Sequence, residues 1–138
     1  MLSLGNNITS SSSGSRELIV NGSFSIASGD GVGWIAGTSV TTTGGVGTIP
    51  DGGGTLHQNI LTSGKTYNFR LTASSPEGGK IILFNNNSSF FTFNNTALNP
   101  PGTLFTVTGT FTAAAVDFTI GELGGGSLVV DDVSVTEA

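Results

Sequence analysis

Short β-prone segments recur along this chain, and turn residues separate them; this pattern constrains the fold more than any other feature. No segment keeps the 3.6-residue spacing of apolar positions that an amphipathic helix requires. We predict strands at residues 18–24, 39–43, 55–61, 66–73, 80–84, 90–93, 103–111, 116–120 and 128–135. Short strands in this number, without a helix, predict an all-β fold, a jelly-roll β-sandwich of two antiparallel sheets.

Alternation of apolar and polar residues assigns a face to each strand, because a half-buried strand buries one side. In segment 66–73 the predicted inward residues are Tyr67, Phe69, Leu71 and Ala73, and the outward ones are Asn68, Arg70 and Thr72. Segments 55–61 and 66–73 are predicted to form one hairpin around residues 62–65. Polar residues of both segments would then line one outer sheet.

Length and charge limit the classes of partner. The chain has 138 residues, which suits a single domain with its own core. Its formal net charge is −5, and four basic residues are too few to neutralise phosphates, so we expect no nucleic-acid partner. It has no cysteine and therefore forms no disulfide. No apolar stretch approaches the length of a membrane span, so we expect no membrane partner.

The beginning of the chain differs in composition from the rest. It reads MLSLGNNITS, without the basic and apolar regions of a secretory signal, and continues with a run of serines. We predict a flexible or docking N-terminal arm at residues 1–16 and the β-sandwich domain at residues 17–138. The arm would bind copies of this chain or other proteins of an assembly, with strand addition supplying main-chain hydrogen bonds.

The residues that could support catalysis are few and poorly placed. His57 is the single histidine, and no G-x-S-x-G elbow accompanies it. Asp131 and Asp132 are adjacent, so on a strand they point to opposite faces and cannot flank one glycosidic bond. We therefore expect a protein without enzymatic activity.

Five motifs in order resemble the carbohydrate-binding module family 4/9. They are ELIVNGSF at 17–24, GW at 33–34, LHQNILTSGKTYNF at 56–69, TGTFTA at 108–113 and LVVDDVSV at 128–135. The resemblance covers about residues 17–136 and implies a jelly roll whose first and last strands lie together. It also implies a non-catalytic glycan-binding protein, often with one structural calcium.

Asp131 is the candidate metal ligand. Val129, Asp131, Val133 and Val135 alternate along the closing segment, which predicts that the carboxylate points inward. A buried carboxylate needs compensation, from a cation such as calcium, from backbone N–H groups, or from an exposed strand start. The family resemblance implies calcium at this acid, although Ser25 stands where the family usually has a second acid.

Glycan binding needs exposed aromatic rings and nearby polar groups. The candidate ligand-binding residues are Trp34, His57, Asn59, Asn68, Arg70 and Phe90, with Tyr67 and Gln58 as further candidates. Tyr67 alternates with core residues, and the family resemblance implies that Trp34 is often packed. The alternative for the polar residues is an ordinary solvated sheet face.

Two functions follow from these observations. Low charge, the absence of cysteine and the predicted arm favour a structural protein of a virus particle, and analogy of fold and size favours a phage. It would be a capsid decoration, collar or fibre component, assembled in the host cytoplasm, with adhesion to surface glycans as a second role. The alternative is a carbohydrate-binding module, either stand-alone or appended to an enzyme, and secreted.

Overall fold

The computed structural model describes residues 16–25, 32–92 and 102–138. Within these ranges the chain forms strands and no helix. The strands are β1 (Ile35–Ala36), β2 (Gly47–Ile49), β3 (Leu56–Asn59), β4 (Thr66–Ser74), β5 (Ile81–Asn85), β6 (Ser88–Thr92), β7 (Phe105–Thr112), β8 (Asp117–Glu122) and β9 (Leu128–Glu137). They form a five-stranded sheet in the order β1-β3-β8-β5-β6 and a four-stranded sheet in the order β2-β9-β4-β7. Every pairing is antiparallel, so the predicted pair of antiparallel sheets is confirmed.

The two sheets enclose one apolar core. On β4 the burial of side chains alternates strictly, and Tyr67, Phe69, Leu71 and Ala73 point inward as predicted. Phe69 lies at the centre of an aromatic cluster and makes tilted or edge contacts with Phe90, Phe91, Phe111 and Phe118. Complete burial of a side chain of this size contributes about 1.5–3 kcal/mol.

The opening segment is not the strand that we predicted at residues 18–24. Glu17 makes an isolated bridge to Thr136, and the backbone then turns, with positive φ at Asn21 and Phe24. Gly22 lies so close to the closing strand that an added Cβ would be 2.0 Å from the carbonyl oxygen of Val133. This crowding and the two turns direct Phe24 into the core, which a straight strand would not do.

The opening and closing segments nevertheless lie together, as the family resemblance implied. The amide of Leu18 donates to the carbonyl of Val135 at 2.9 Å, and the amide of Val133 donates to that of Gly22 at 2.9 Å. The carboxylate of Glu17 accepts hydrogen bonds from the amide of Val135 and from the hydroxyl of Ser134. The last strand of the chain is thereby covered by the first described residues.

The predicted hairpin of segments 55–61 and 66–73 is wrong. β3 belongs to the five-stranded sheet and β4 to the four-stranded sheet, so the loop between them crosses from one sheet to the other. The amides of Ile60 and Leu61 both donate to the carbonyl of Val116, and that of Gly64 donates to the carbonyl of Ala113. A hairpin and a crossover give the same inward–outward alternation, so the pattern could not distinguish them.

Two short strands and one segment also differ from the predictions. β1 and β2 lie outside the segments that we predicted as strands. Segment 39–43 forms only an isolated bridge between Thr41 and Thr48. The predicted division into an arm at 1–16 and a domain at 17–138 stays a prediction, because residues 1–15 lie outside the described ranges.

Candidate ligand-binding cleft

A row of side chains crosses the outer face of the five-stranded sheet. Backbone pairing aligns Ile35 with His57, His57 with Thr119, Thr119 with Phe84, and Phe84 with Ser89. Directly paired residues of neighbouring strands place their side chains on the same face. The residues that flank the middle three in sequence are all buried, so this row points away from the core.

Phe84 supplies the aromatic surface of this face. Phe84 pairs with Thr119 of β8. Two residues further along β8 lies Gly121, which pairs with Ile82. An added Cβ at Gly121 would lie 3.2 Å from Cε2 of Phe84 and 3.4 Å from Cγ2 of Ile82. Because Gly121 has no side chain, the Phe84 ring can lie against the sheet at this position, where it is half-buried.

The row opens into a cleft with a volume of about 390 Å³. Its lining residues come from β3, β5, β8 and the neighbouring turns, and they are Thr55, His57, Asn59, Phe84, Asn87, Asp117 and Thr119. Six of these seven side chains are polar, and one is aromatic. The combination offers one apolar surface surrounded by hydrogen-bonding groups.

Asp117 is the carboxylate that lines the cleft, and its neighbours hold it in position. Thr119 donates its hydroxyl to Oδ2 of Asp117 at 2.9 Å, and the amide of Asn86 donates to Oδ1 at 3.0 Å. Asn86 and Asn87 have φ of 55° and 59°, the conformation of a two-residue type I′ turn between β5 and β6. The turn brings the side chain of Asn87 to the cleft.

A buried amide fixes the start of β8. The side chain of Asn85 donates to the carbonyls of Ala115 and Asp117 at 3.1 and 2.6 Å. Its Oδ1 accepts from the amides of Ala114 and Ala115 at 2.6 and 3.1 Å. All four bonds satisfy a side chain that is 5% exposed, and they hold the segment that delivers Asp117 to the cleft.

The predicted site residues do not form one site. His57 and Asn59 lie together in the cleft. Asn68 and Arg70 are exposed on β4, on the outer face of the other sheet, so the single polar face predicted for all four is wrong. The cause is the crossover between β3 and β4, which places the two strands on opposite sides of the core.

Trp34 and Phe90 do not present rings to solvent. Trp34 is 5% exposed, stacks on Phe24 with ring centroids 5.2 Å apart, and donates its indole N–H to the carbonyl of Asn21. Phe90 stacks on Phe111 at 4.0 Å within the aromatic cluster. Simple alternation from Phe91 would direct Phe90 outward, but a register shift between β5 and β6 interrupts the alternation at this point.

The two further candidates are also structural. Tyr67 is 1% exposed, and its hydroxyl accepts a hydrogen bond from the amide of Thr62. Gln58 is 2% exposed and makes two hydrogen bonds with the backbone of Val20. Its Oε1 accepts from the amide of Val20, and its Nε2 donates to the carbonyl of Val20. The amide of Gln58 thus attaches the opening segment to β3.

The predicted inward orientation of Asp131 is wrong. Leu128 and Val130 are buried, whereas Asp131 is half-buried on the outer face of its sheet. Asp132 has φ of 49°, and the pairing with β4 shifts beside it, so the following residues Val133 and Val135 return to the core. The β-bulge therefore reverses the alternation in the middle of the strand.

This orientation removes the reason for a metal at Asp131. Its Oδ1 accepts the amide of Asp132 at 2.7 Å, and burial raises the pKa of its carboxyl group above the ordinary value. Within the described ranges no group of three or more His, Cys, Asp or Glu side chains could hold a metal ion. The described residues therefore offer no cluster of carboxylates at Asp131, whereas calcium takes six to eight oxygen ligands.

Phe84, Asp117 and Thr119 are cleft residues that we did not predict. Alternation contained the signal for all three: Ile81 and Leu83 point inward, so Phe84 points outward. The same argument from Phe118 and Ile120 directs Asp117 and Thr119 outward. What alternation lacked was the knowledge that β3, β8 and β5 are neighbours in one sheet.

Comparisons with known proteins agree on the fold. No protein-family model matches the chain, and a search of curated proteins finds no match. The N-terminal cellulose-binding domain of β-1,4-glucanase C from Cellulomonas fimi is similar, with a TM-score of 0.54 and 21% identity over 89% of this chain and 98% of that one. The CBM22-1-GH10 modules of Clostridium thermocellum endo-1,4-β-D-xylanase 10B, solved with xylohexaose, match with a TM-score of 0.59 and 14% identity over 88% of this chain and 28% of that one.

A third similar structure is a Stig cyclase from Fischerella sp. TAU, with a TM-score of 0.56 and 15% identity over 91% of this chain and 98% of that one. Identities at this level show the fold alone. The predicted jelly-roll β-sandwich of carbohydrate-binding modules is thus confirmed. The fold also occurs in cyclases, so it does not by itself decide whether a chain is catalytic. Among the described residues, no helix could cross a membrane.

Proposed function

We propose that this protein is a non-catalytic carbohydrate-binding module whose ligand lies in the cleft on the five-stranded sheet. The observation that carries the proposal is the half-buried Phe84 ring, set against Gly121 and surrounded by polar side chains. An apolar surface with a few convergent polar groups is the usual composition of a small-ligand site. The fold of the similar carbohydrate-binding modules supports the same conclusion.

The cleft residues have the chemistry that a sugar requires. The ring of Phe84 offers an apolar surface to the C–H groups of a pyranose. The Asp117 carboxylate accepts hydrogen bonds, whereas the amides of Asn59 and Asn87 both donate and accept. His57 adds a ring nitrogen donor and acceptor on the same row as Phe84.

The charge of the cleft favours a neutral glycan. Its lining includes the Asp117 carboxylate and no lysine or arginine. The formal net charge of the whole chain is −5. Both charges would repel a uronic-acid or sulfated glycan, because like charges in close contact disfavour binding. Two similar structures come from a β-1,4-glucanase and an endo-1,4-β-xylanase, so neutral β-1,4-linked oligosaccharides are the first ligands to test.

The single carboxylate among the cleft residues favours binding rather than hydrolysis. Most glycoside hydrolases use a pair of carboxyl groups on either side of the scissile bond. Of the residues that line the cleft, Asp117 alone carries a carboxylate, and two neighbours already hydrogen-bond to it. We therefore propose a protein that binds a glycan without cleaving it.

The alternative that we drew from the sequence becomes the main proposal. The comparisons lend no support to a role in a virus particle, and residues 1–15 of the arm on which that role depended lie outside the described residues. Virion assembly stays a prediction, as do the localisation and the binding of other proteins by residues 1–16. A stand-alone or enzyme-appended module agrees better with the fold.

Titration calorimetry with neutral β-1,4-linked gluco- and xylo-oligosaccharides tests the proposal. Phe84→Ala should weaken binding by about tenfold or more, equivalent to about 1.4 kcal/mol. Leu123→Ala is the matched control, because it truncates a large exposed apolar side chain outside the cleft. Unfolding curves of both variants would show that the loss is not a loss of folded protein.

Arg70→Ala separates the two faces of the sandwich. A site on the outer face of the four-stranded sheet, as part of the sequence prediction had it, would lose affinity in this variant and keep it in Phe84→Ala. That result would overturn the proposal, and so would the absence of binding to every neutral glycan in the set.

A further inference from the structure

One edge of the sandwich differs from the other three. Within the part of the chain that the structure describes, the edge strands of the two sheets are β1, β6, β2 and β7. β1 and β2 have two and three residues, and the five residues of β6 contain a register shift. β7 has eight residues and pairs with β4 without interruption. A long and regular edge strand is a template for pairing with another chain.

The composition of β7 offers none of the usual protection against such pairing. Its outward side chains are Thr106, Thr108, Thr110 and Thr112, and all four are exposed. The strand FTVTGTFT contains no charged residue and no proline, the two devices that natural edges commonly carry. Threonine also has a high preference for strands and pairs well with threonine across a ladder.

We infer that a second copy of this chain docks on β7, so that two four-stranded sheets join into one continuous antiparallel sheet. The strand is self-complementary for this purpose. If Thr108 lies opposite Thr108 or Thr110 of the second copy, threonines face threonines along the outer side. Apolar side chains and Gly109 then face one another along the inner side. A two-fold axis relates the two strands, as in most homodimers.

An exposed leucine lies where the second copy would cover it. Leu104 immediately precedes β7 and is 67% exposed, the highest value for a large apolar side chain in the described part of the chain. Alternation places it on the same side as Thr106. In the antiparallel arrangement it would lie beside the end of the second copy's β7, and docking would remove it from water.

The distribution of charge permits the contact despite the net charge of −5. The carboxylates on the strands of this sheet belong to β9, at Asp131, Asp132 and Glu137, and β9 is two strands from β7. Three strand spacings, roughly 14 Å, would separate β9 from the β7 strand of the second copy. This exceeds the Debye length of about 8 Å at physiological ionic strength, so repulsion between the copies is weak.

The arrangement has a consequence that rests on the proposed function. A two-fold axis perpendicular to the joined sheet keeps both five-stranded sheets on the same side of it. The two clefts would then face in one direction, and both could bind one polysaccharide surface. Two linked sites raise the avidity for such a surface without any new contact to the sugar.

Sedimentation analysis over a wide concentration range tests the dimer directly. The wild-type chain should form a reversible dimer. The double variant Thr108→Glu/Thr110→Glu places glutamates opposite each other in either register, and it should weaken association by about tenfold or more. Thr41→Glu is the matched control, because it adds negative charge on the segment that pairs with β2, at the opposite edge of the same sheet.

A charge-reversed partner guards against a folding artefact. Thr108→Lys/Thr110→Lys should also be monomeric, and an equimolar mixture of the two double variants should restore a dimer. A monomeric wild type overturns the inference, as does a dimer that the glutamates leave unchanged or that Thr41→Glu disrupts equally. Binding of a soluble oligosaccharide should be the same in all these proteins, so a failed dimer and a failed glycan site give different results.

Discussion

The ring of Phe84 lies against Gly121, and an added Cβ at that glycine would come within 3.2 Å of its Cε2 atom. The two residues belong to neighbouring strands, β5 and β8, that are far apart in the sequence. Close approach of a ring to a neighbouring strand is a reason for glycine inside a strand, where it otherwise costs about 0.5–1 kcal/mol relative to alanine. The pair connects the packing of the sheet to the shape of the cleft.

Gly121→Val should therefore weaken glycan binding without unfolding the protein. The branched side chain would occupy space under the Phe84 ring and displace it toward the cleft. We expect a several-fold loss of affinity for the oligosaccharide that the wild-type protein binds, measured by calorimetry. If affinity is unchanged, the position of the Phe84 ring does not determine binding.

Gln58→Leu should lower the free energy of unfolding by about 1–3 kcal/mol. The substitution keeps the size of the buried side chain but leaves both the amide and the carbonyl of Val20 without the partners they now have. Denaturant unfolding measures the effect. Asn68→Leu, an exposed amide on β4, is the control and should change stability by no more than about 0.5 kcal/mol. Equal effects of the two variants would show that Gln58 does not attach the opening segment.

Asp131 should make stability depend on pH in acid. Burial raises the pKa of its carboxyl group above the ordinary 3.8, so the folded protein binds the proton more tightly than the unfolded chain does. The contribution of this proton to the free energy of unfolding is fully present below pH 3.8, and it is lost as the pH rises through the pKa of the folded protein. Asp131→Asn should raise the melting temperature slightly at pH 7 and leave it unchanged well below pH 3.8. A variant that is less stable at pH 7 would contradict this assignment.

Asp132 should tolerate glycine better than valine. Its φ of 49° lies in the left-handed region, which is accessible to glycine and costly for a β-branched residue. We expect Asp132→Val to destabilise the protein by about 1–2 kcal/mol relative to Asp132→Gly. Thermal unfolding of the two variants makes the comparison. Equal melting temperatures would mean that the strand can lose the bulge without a penalty.

Removal of residues 1–16 should change the stability of the domain very little. The contacts that join the opening and closing segments begin at Glu17, whose carboxylate accepts the amides of Ile19 and Val135. Thermal unfolding of the shortened chain is the measurement, and removal of residues 1–20 is the contrast, because it also deletes Glu17 and Val20. A large loss on removing the first sixteen residues alone would show that they belong to the domain.

Much of the fold follows from local patterns. Alternation on β4 is uninterrupted from Tyr67 to Ala73, so its buried face could be read directly. His57 and Asn59 were correctly assigned to an outer face. They alternate along β3 with Leu56 and Gln58, which are both buried. These predictions succeed because a strand repeats every two residues, and burial of one face depends only on that repeat.

The sequence by itself determined the seven strands from β3 to β9 and, where the alternation is regular, which side of each strand is buried. Only the tertiary structure decided that β3 and β4 belong to different sheets, which separates His57 and Asn59 from Asn68 and Arg70. It also decided the bulges at Phe90 and Asp132, which reverse the faces of Phe90 and Asp131. The physical reason is the range of the interactions: alternation is a property of one strand, whereas sheet order and register are set by pairing between strands that are distant in sequence.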